Sequence, residues 1–175
     1  NPLAMIQILE YLRAFLSGRM GWDVIHGTLI ISGAFGLFRR STVISAGGYK
    51  SDTVGEDMEL IVRLHHYCGG KKIPYRIAFI PDPVAWTECP ETLKSLGRQR
   101  DRWQRGLVDV MLRHRHMLFN PRHGVIGMVA FPYFFFLEML GPLIELGGYL
   151  SFFLAILMKQ VSLIYISVFL MLAFV

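Results

Sequence analysis

TVGEDMELIVRLHHYCGG, residues 53–70, is the stretch whose reading decides the fold. Thr53 and Glu56 stand in capping-box spacing, so each can satisfy a free amide at a helix start. Glu56, Asp57 and Glu59 put three acids in the first turn, where the positive end of the helix dipole favours them. Gly69 and Gly70 stop the pattern, so a helix is expected over Thr53 to Tyr67. Upstream, Thr28 to Arg39 is rich in Ile, Phe and small residues, with Gly27, Gly33 and Gly36 interspersed. That reads as one buried strand or two short ones, with glycine where another chain or a ligand comes close. Ser41 to Ala46 reads as a short helix closed by Gly47 and Gly48, and residues 3–20 as an amphipathic helix with Leu3, Ile6, Leu9, Leu12, Phe15 and Leu16 on one stripe. Downstream, Tyr75 to Ile80 alternates as a strand does, and Pro81, Pro83 and Pro90 punctuate an extended stretch that includes Val84 to Thr87. A long helical pattern then runs from Glu91 to about Leu118, weakened at Gly97 and Gly106.

The remainder of the chain differs in kind. Hydrophobic residues make up 53% of the 175, and from Gly124 onward the only formal charges are Glu138, Glu145 and Lys159. Residues 1–123 hold 17 of the 18 Lys and Arg and 11 of the 13 Asp and Glu, a net +6 against −1 for 124–175. A bilayer span needs roughly 20 apolar residues. Residues 124–158 are expected to form an interfacial segment leading into a spanning helix, divided near Pro142, with Pro132 as a second kink point. Lys159 and Gln160 read as a polar turn, and a second span is expected from about residue 161, cut short by the end of the chain. Arg113, Arg115 and Arg122, with His114, His116 and His123, crowd just before the apolar part, as basic residues do on the cytoplasmic side of a membrane. The interleaving of basic and aromatic residues that marks nucleic-acid binders is missing. Cys68 and Cys89 form no CxxC and are expected to be free thiols. Glu138 and Glu145 share a face if the helix runs through Pro142; they would line a polar pathway or lie at an interface.

Three stretches can carry chemistry. Asp57, with Glu56 beside it, offers a fixed carboxylate that could take a proton from a nucleophilic hydroxyl. Capping and dipole preferences alone would also place acids there. In Gln99-Arg100-Asp101-Arg102-Trp103, helical spacing puts Gln99, Arg102 and Trp103 on one face. An Arg there can bind a diphosphate through paired hydrogen bonds, and a Trp can support a sugar ring. The same helix could instead lie on a membrane with Trp103 as its anchor. In Ser32-Gly33-Ala34-Phe35-Gly36, small residues allow close approach to the backbone, or simply tight packing.

An ED pair opening a helix, followed some 40 residues later by QxxRW before an apolar region, resembles the family 2 membrane glycosyltransferases, which include cellulose, hyaluronan, chitin and poly-N-acetylglucosamine synthases. The resemblance covers roughly residues 25–160. It implies an α/β fold, the later part of a GT-A glycosyltransferase domain over 1–123, followed by α-helical transmembrane segments over 124–175. It implies Asp57 as general base with Glu56 beside it, and Gln99, Arg102, Trp103 and Gly33 around the acceptor and the diphosphate. Pro81 to Glu88 looks like the family's extended stretch before the QxxRW helix, and the family's Thr-Glu-Asp is Gly55-Glu56-Asp57 here. No DxD occurs in the sequence, so the uridine-binding and metal-binding motifs of the family are not found, and Mg²⁺ or Mn²⁺ is implied only for a longer parent protein. A fragment lacking the donor-binding half is expected to be inactive alone. The function implied is inverting transfer from a nucleotide sugar to a growing polysaccharide or other acceptor at the cytoplasmic membrane face. A lipid glycosyltransferase making one sugar–lipid bond is the alternative within the same chemistry, and a non-enzymatic transporter subunit or scaffold the alternative outside it.

Overall fold

The computed structural model describes residues 1–33, 35–82, 87–158 and 162–173. They form two compact units, Asn1–Met139 and Leu140–Val175. The first opens with α1 (Pro2–Tyr11), which runs through a π-helical turn (Leu12–Ser17) into α2 (Gly18–Val24). Asn1 caps it, its side chain accepting from the Leu3 amide, with Pro2 in the first turn where its missing N–H costs nothing. Then come α3 (Arg40–Ser45), α4 (Glu56–Gly70) and α5 (Leu93–Arg113), the last capped by Thr92, whose hydroxyl accepts from the Ser95 amide. Two 3₁₀ turns, Arg115–Met117 and Pro121–His123, lead into alternating π and α turns over Ile126–Met139, including α6 (Phe131–Tyr133).

The core is built on α4. Met58, Leu60, Ile61, Val62, Leu64 and Cys68 are all buried, so this helix is covered on nearly every side. Its one deeply buried acid, Glu59, is held by both Nε and Nη2 of Arg63 and by Nε2 of His114 at 3.2 Å. Arg63 also donates to the Ala46 and Gly48 carbonyls and so ties the end of α3 to α4. These partners hold the Glu59 carboxyl below the usual range despite its burial, which alone would raise it. The helix begins at Glu56, after Gly55, and so has no side-chain cap. The Thr53 hydroxyl accepts from the Gly55 amide just outside the helix, so the capping box expected from Thr53 and Glu56 does not form.

The α/β expectation is corrected. Among the described residues there is no strand and no sheet. Residues 27–33, 35–38 and 73–81 lie outside any helix, as the sequence suggests, yet none of them forms a ladder. A strand needs a partner for its backbone as well as a β-prone sequence. Side chains supply part of that instead: His65 Nε2 donates to the Thr28 carbonyl at 2.8 Å, and Asp23 accepts from the Phe79 amide at 3.2 Å. Of the Pro81 to Glu88 stretch, residues 83–86 lie outside the described residues, as do Ala34 and the turn read at Lys159 and Gln160.

The expectation of transmembrane helices is corrected too. Among the described residues no single helix is long and apolar enough to cross a membrane. In the second unit, α7 (Gly141–Leu157) has 17 residues and α8 (Leu163–Ala173) has 11. At 1.5 Å per residue the longer reaches about 26 Å, short of a hydrocarbon core of about 30 Å. The continuous apolar run is divided where Pro142 forces a new first turn. Ile126–Met139 and Gly141–Leu157 together have the length and composition of a broken span. Within the second unit, the Phe152 and Phe169 rings stack at 3.9 Å with Tyr149 edge-on.

Candidate functional site

Two glycines set the site. Gly55, which opens α4, and Gly106, on α5, cross with no side chain between them. A Cβ on Gly106 would lie 3.0 Å from the Gly55 Cα, and one on Gly55 would lie 3.1 Å from the Gly106 Cα. This crossing sets the start of α4, and hence Asp57, against α5, which carries Gln99, Arg102 and Trp103. The His114–Glu59 bond joins the same two helices again, nearer the C-terminal end of α5.

Asp57 is half-buried. Its Oδ1 accepts from the Met58 amide at 2.7 Å, and its Oδ2 faces Gly33 so closely that a Cβ there would come within 2.7 Å. Gly33 and Asp57, 24 positions apart in sequence, are therefore brought into direct contact. Glu56 is exposed beside them. Arg19 lies near enough to feel the Asp57 charge. Burial lowers its guanidinium below the ordinary value, and the carboxylate opposes that shift.

Gln99 and Trp103 both meet the first helix. The Tyr11 hydroxyl donates to Gln99 Oε1 at 3.4 Å, and Trp103 packs on Phe15 with centroids 5.9 Å apart. Tyr11 stacks on Phe15 at 4.7 Å, and the Arg19 guanidinium sits 4.4 Å over the same Phe15 ring. Arg100 lies 4.9 Å over Trp103 and pairs with Glu10 of the same first helix. Arg102 is exposed. Tyr11, Phe15 and Arg19 thus form a stripe at four-residue spacing that runs from Gln99, past Trp103, to the neighbourhood of Asp57.

Of that stripe the sequence reading, which follows the apolar residues of the same helix, has only Phe15; Tyr11 and Arg19 escape it. Gln7 is the buried residue of α1, donating to the Leu3 and Pro90 carbonyls, whereas Met5, Ile6, Leu9 and Leu12 are exposed. Of the apolar stripe read from the sequence, Ile6, Leu9 and Leu12 are exposed, while Leu3, Phe15 and Leu16 are partly covered. The available signal was the four-residue recurrence of Tyr11, Phe15 and Arg19, which apolar scoring passes over. Beyond the site, a half-open cavity of about 750 Å³ lies among the segments around Ile30–Phe38 and Ile73–Pro81, with Arg19 and Ser32 in its wall.

Metal binding does not fit these residues. Among the described residues no three His, Cys, Asp or Glu side chains are grouped so as to hold an ion. Arranged as they are, the groups can take up a proton at Asp57, present an amide and an aromatic face at Gln99 and Trp103, and place cations nearby.

Comparison with known proteins gives this geometry a family. The chain is 33% identical over 111 residues to the poly-beta-1,6-N-acetyl-D-glucosamine synthase of Staphylococcus aureus (strain COL), covering 63% of this chain and 26% of that protein. It is 34% identical over 119 residues to the probable glycosyltransferase YdaM of Bacillus subtilis (strain 168), covering 68% and 26%. The chain thus spans about a quarter of the length of the curated relatives it matches. No solved structure matches it. Residues 3–175 match the family described as Glycosyl transferase family group 2, and the chain belongs to that family of glycosyl-transferring enzymes.

Proposed function

We propose that this chain serves inverting transfer of a sugar from a nucleotide-sugar donor to a growing glycan, at the cytoplasmic face of a membrane. The observation that carries the reading is the meeting of Asp57 with Gly33, while Gln99 and Trp103 are held on the helix that crosses Gly55. An acceptor sugar resting against Trp103 would lay its hydroxyl near the backbone of Gly33, where only a hydrogen stands between chain and carboxylate. The hydroxyl oxygen attacks the anomeric carbon as the bond from that carbon to the diphosphate oxygen breaks. The hydroxyl proton passes to the Asp57 carboxylate, and the nucleoside diphosphate leaves. A single displacement inverts the anomeric centre. Arg102, exposed and one turn from Gln99, suits the charge that develops on the diphosphate. The polymer acceptor is supported by the Staphylococcus aureus relative, named as a polysaccharide synthase.

The membrane face is supported by uncovered apolar surface. Ile6, Leu9 and Leu12 are 63%, 68% and 51% exposed on the first helix, and Met128, Val129 and Leu137 are 45%, 48% and 58% exposed further on. Apolar faces of this extent suit a headgroup boundary better than water.

The test uses the full-length protein in membrane vesicles with labelled UDP- and GDP-sugars. Asp57→Asn keeps the shape and removes the base, so transfer should fall by roughly a hundred- to ten-thousandfold while donor binding stays. Full activity in that variant would remove Asp57 from the chemistry.

A further inference from the structure

Outside this site, three imidazoles from three separate elements converge. His66 of α4 lies with its Nδ1 3.4 Å from Nε2 of His116, in the first 3₁₀ turn. His123, in the second 3₁₀ turn, brings its ring within 5.2 Å of His66 and 6.5 Å of His116, centroid to centroid. Nothing in the transfer chemistry uses them. They are not arranged to hold a metal ion. The remaining chemistry open to neighbouring imidazoles is to take up protons and bind an anion.

The surroundings specify the anion's setting. Exposed Arg115 and Arg122 flank the cluster, and Arg122 acts on His123 as a second positive charge. His114 approaches His116 at 5.9 Å, but its Nε2 is engaged by Glu59, which is itself held by Arg63. The His123 Nδ1 is buried without a hydrogen-bond partner. Next to the cluster, Phe119 is 56% exposed with a left-handed φ of 52°, a costly conformation for a bulky residue, and its ring packs on half-exposed Phe136 at 6.0 Å. The exposed apolar side of Val125–Leu137 continues from there. A cationic, imidazole-rich rim beside an uncovered apolar face matches one partner in both respects, the boundary of an anionic bilayer.

We infer that His66, His116 and His123 form a proton-linked site for the phosphate of an anionic lipid headgroup, with Phe119 and Phe136 entering the acyl boundary beside it. The inference rests on the membrane-face reading above and adds the ligand and its coupling to protons. Burial and mutual repulsion lower the proton affinity of His116 and His123. A phosphate between the rings reverses the repulsion, so binding and protonation support each other.

The test compares the full-length protein in phosphatidylcholine vesicles with the same protein in vesicles of about one-third phosphatidylglycerol. Carbethoxylation of each histidine is followed by mass spectrometry from about pH 5 to pH 8, with exposed His26 as the internal reference. The expected result is slower modification of His66, His116 and His123 in the anionic vesicles, with a protonation midpoint higher by about one unit, or tenfold in proton affinity. His26 should move only as far as the general surface potential carries it. In His116→Asn/His123→Asn, the lipid-dependent shift at His66 should vanish. A midpoint shift at the trio no larger than that of His26 would overturn the inference while leaving the membrane reading intact. Protein that associates with neither vesicle would overturn both. Reproduction of the full effect by free inorganic phosphate in neutral vesicles would replace the lipid with a soluble anion and overturn the inference as stated. None of these readouts depends on sugar transfer.

Discussion

Replacing Gly106 by alanine isolates the contact on which the site depends. The new Cβ would meet the Gly55 Cα at 3.0 Å and the Gly55 N at 3.1 Å. Both are backbone atoms and cannot rotate away. Contacts this short are tighter than nearly all those a Cβ makes, so α5 and the start of α4 must part by a few tenths of an ångström. Overpacking of this kind costs about 1–3 kcal/mol. Alanine returns about 1 kcal/mol, because glycine is a poor residue within a helix. The net loss of stability is therefore about 0–2 kcal/mol. A displacement of that size between Asp57 and the Gln99–Trp103 face should still slow transfer, by about tenfold. Gly97→Ala is the control. It lies on the same helix with nothing within 4 Å of its would-be Cβ, so it should gain about 1 kcal/mol and keep its rate. Transfer from the labelled donor and thermal unfolding would be measured on both variants of the full-length protein. Equal transfer rates in Gly106→Ala and Gly97→Ala would refute the argument that the crossing sets the geometry of the site.

Two further predictions follow from single contacts. Gly33→Ala would bring its Cβ to 2.7 Å from Asp57 Oδ2, the free end of a side chain. The fold should absorb this within about 1 kcal/mol while transfer falls at least about tenfold, because the carboxylate must swing aside; unchanged kcat would separate Gly33 from the chemistry. His65 is buried between the Thr28 carbonyl and the Tyr75 hydroxyl, and burial pushes its pKa down to about 4. The unfolded chain takes up that proton near pH 6.5 and the folded chain only near 4. The His65 contribution is therefore complete above about pH 6.5 and is lost as pH falls toward 4, by roughly 3 kcal/mol. His65→Gln, which can still donate to Thr28 but does not titrate, should flatten the acid side of a urea-unfolding series relative to the unaltered protein. Parallel curves would count against the argument.

The sequence by itself determined what local chemistry controls. Acids beside Gly55, a long helical periodicity from Glu91, and glycine pairs after short apolar runs all act within a few residues. The corresponding α3, α4 and α5 form within a few positions of the expectation. The pairing of GED with QRDRW likewise pointed to the family in which the chain is found. What required tertiary structure depends on partners far away in the chain. Thr28–Arg39 and Tyr75–Ile80 have strand-like sequences, but a strand exists only where another pairs with it, and among the described residues none does. Likewise, apolar residues at helical spacing define a face without saying what covers it, so of the one stripe Phe15 is partly covered, beside Gln7 and Tyr11, while Ile6, Leu9 and Leu12 are exposed. The contacts of Gly33 with Asp57 and of Gly55 with Gly106 span 24 and 51 positions. A missing side chain leaves no periodic signal, and only the folded chain shows which backbone has come close enough to require it.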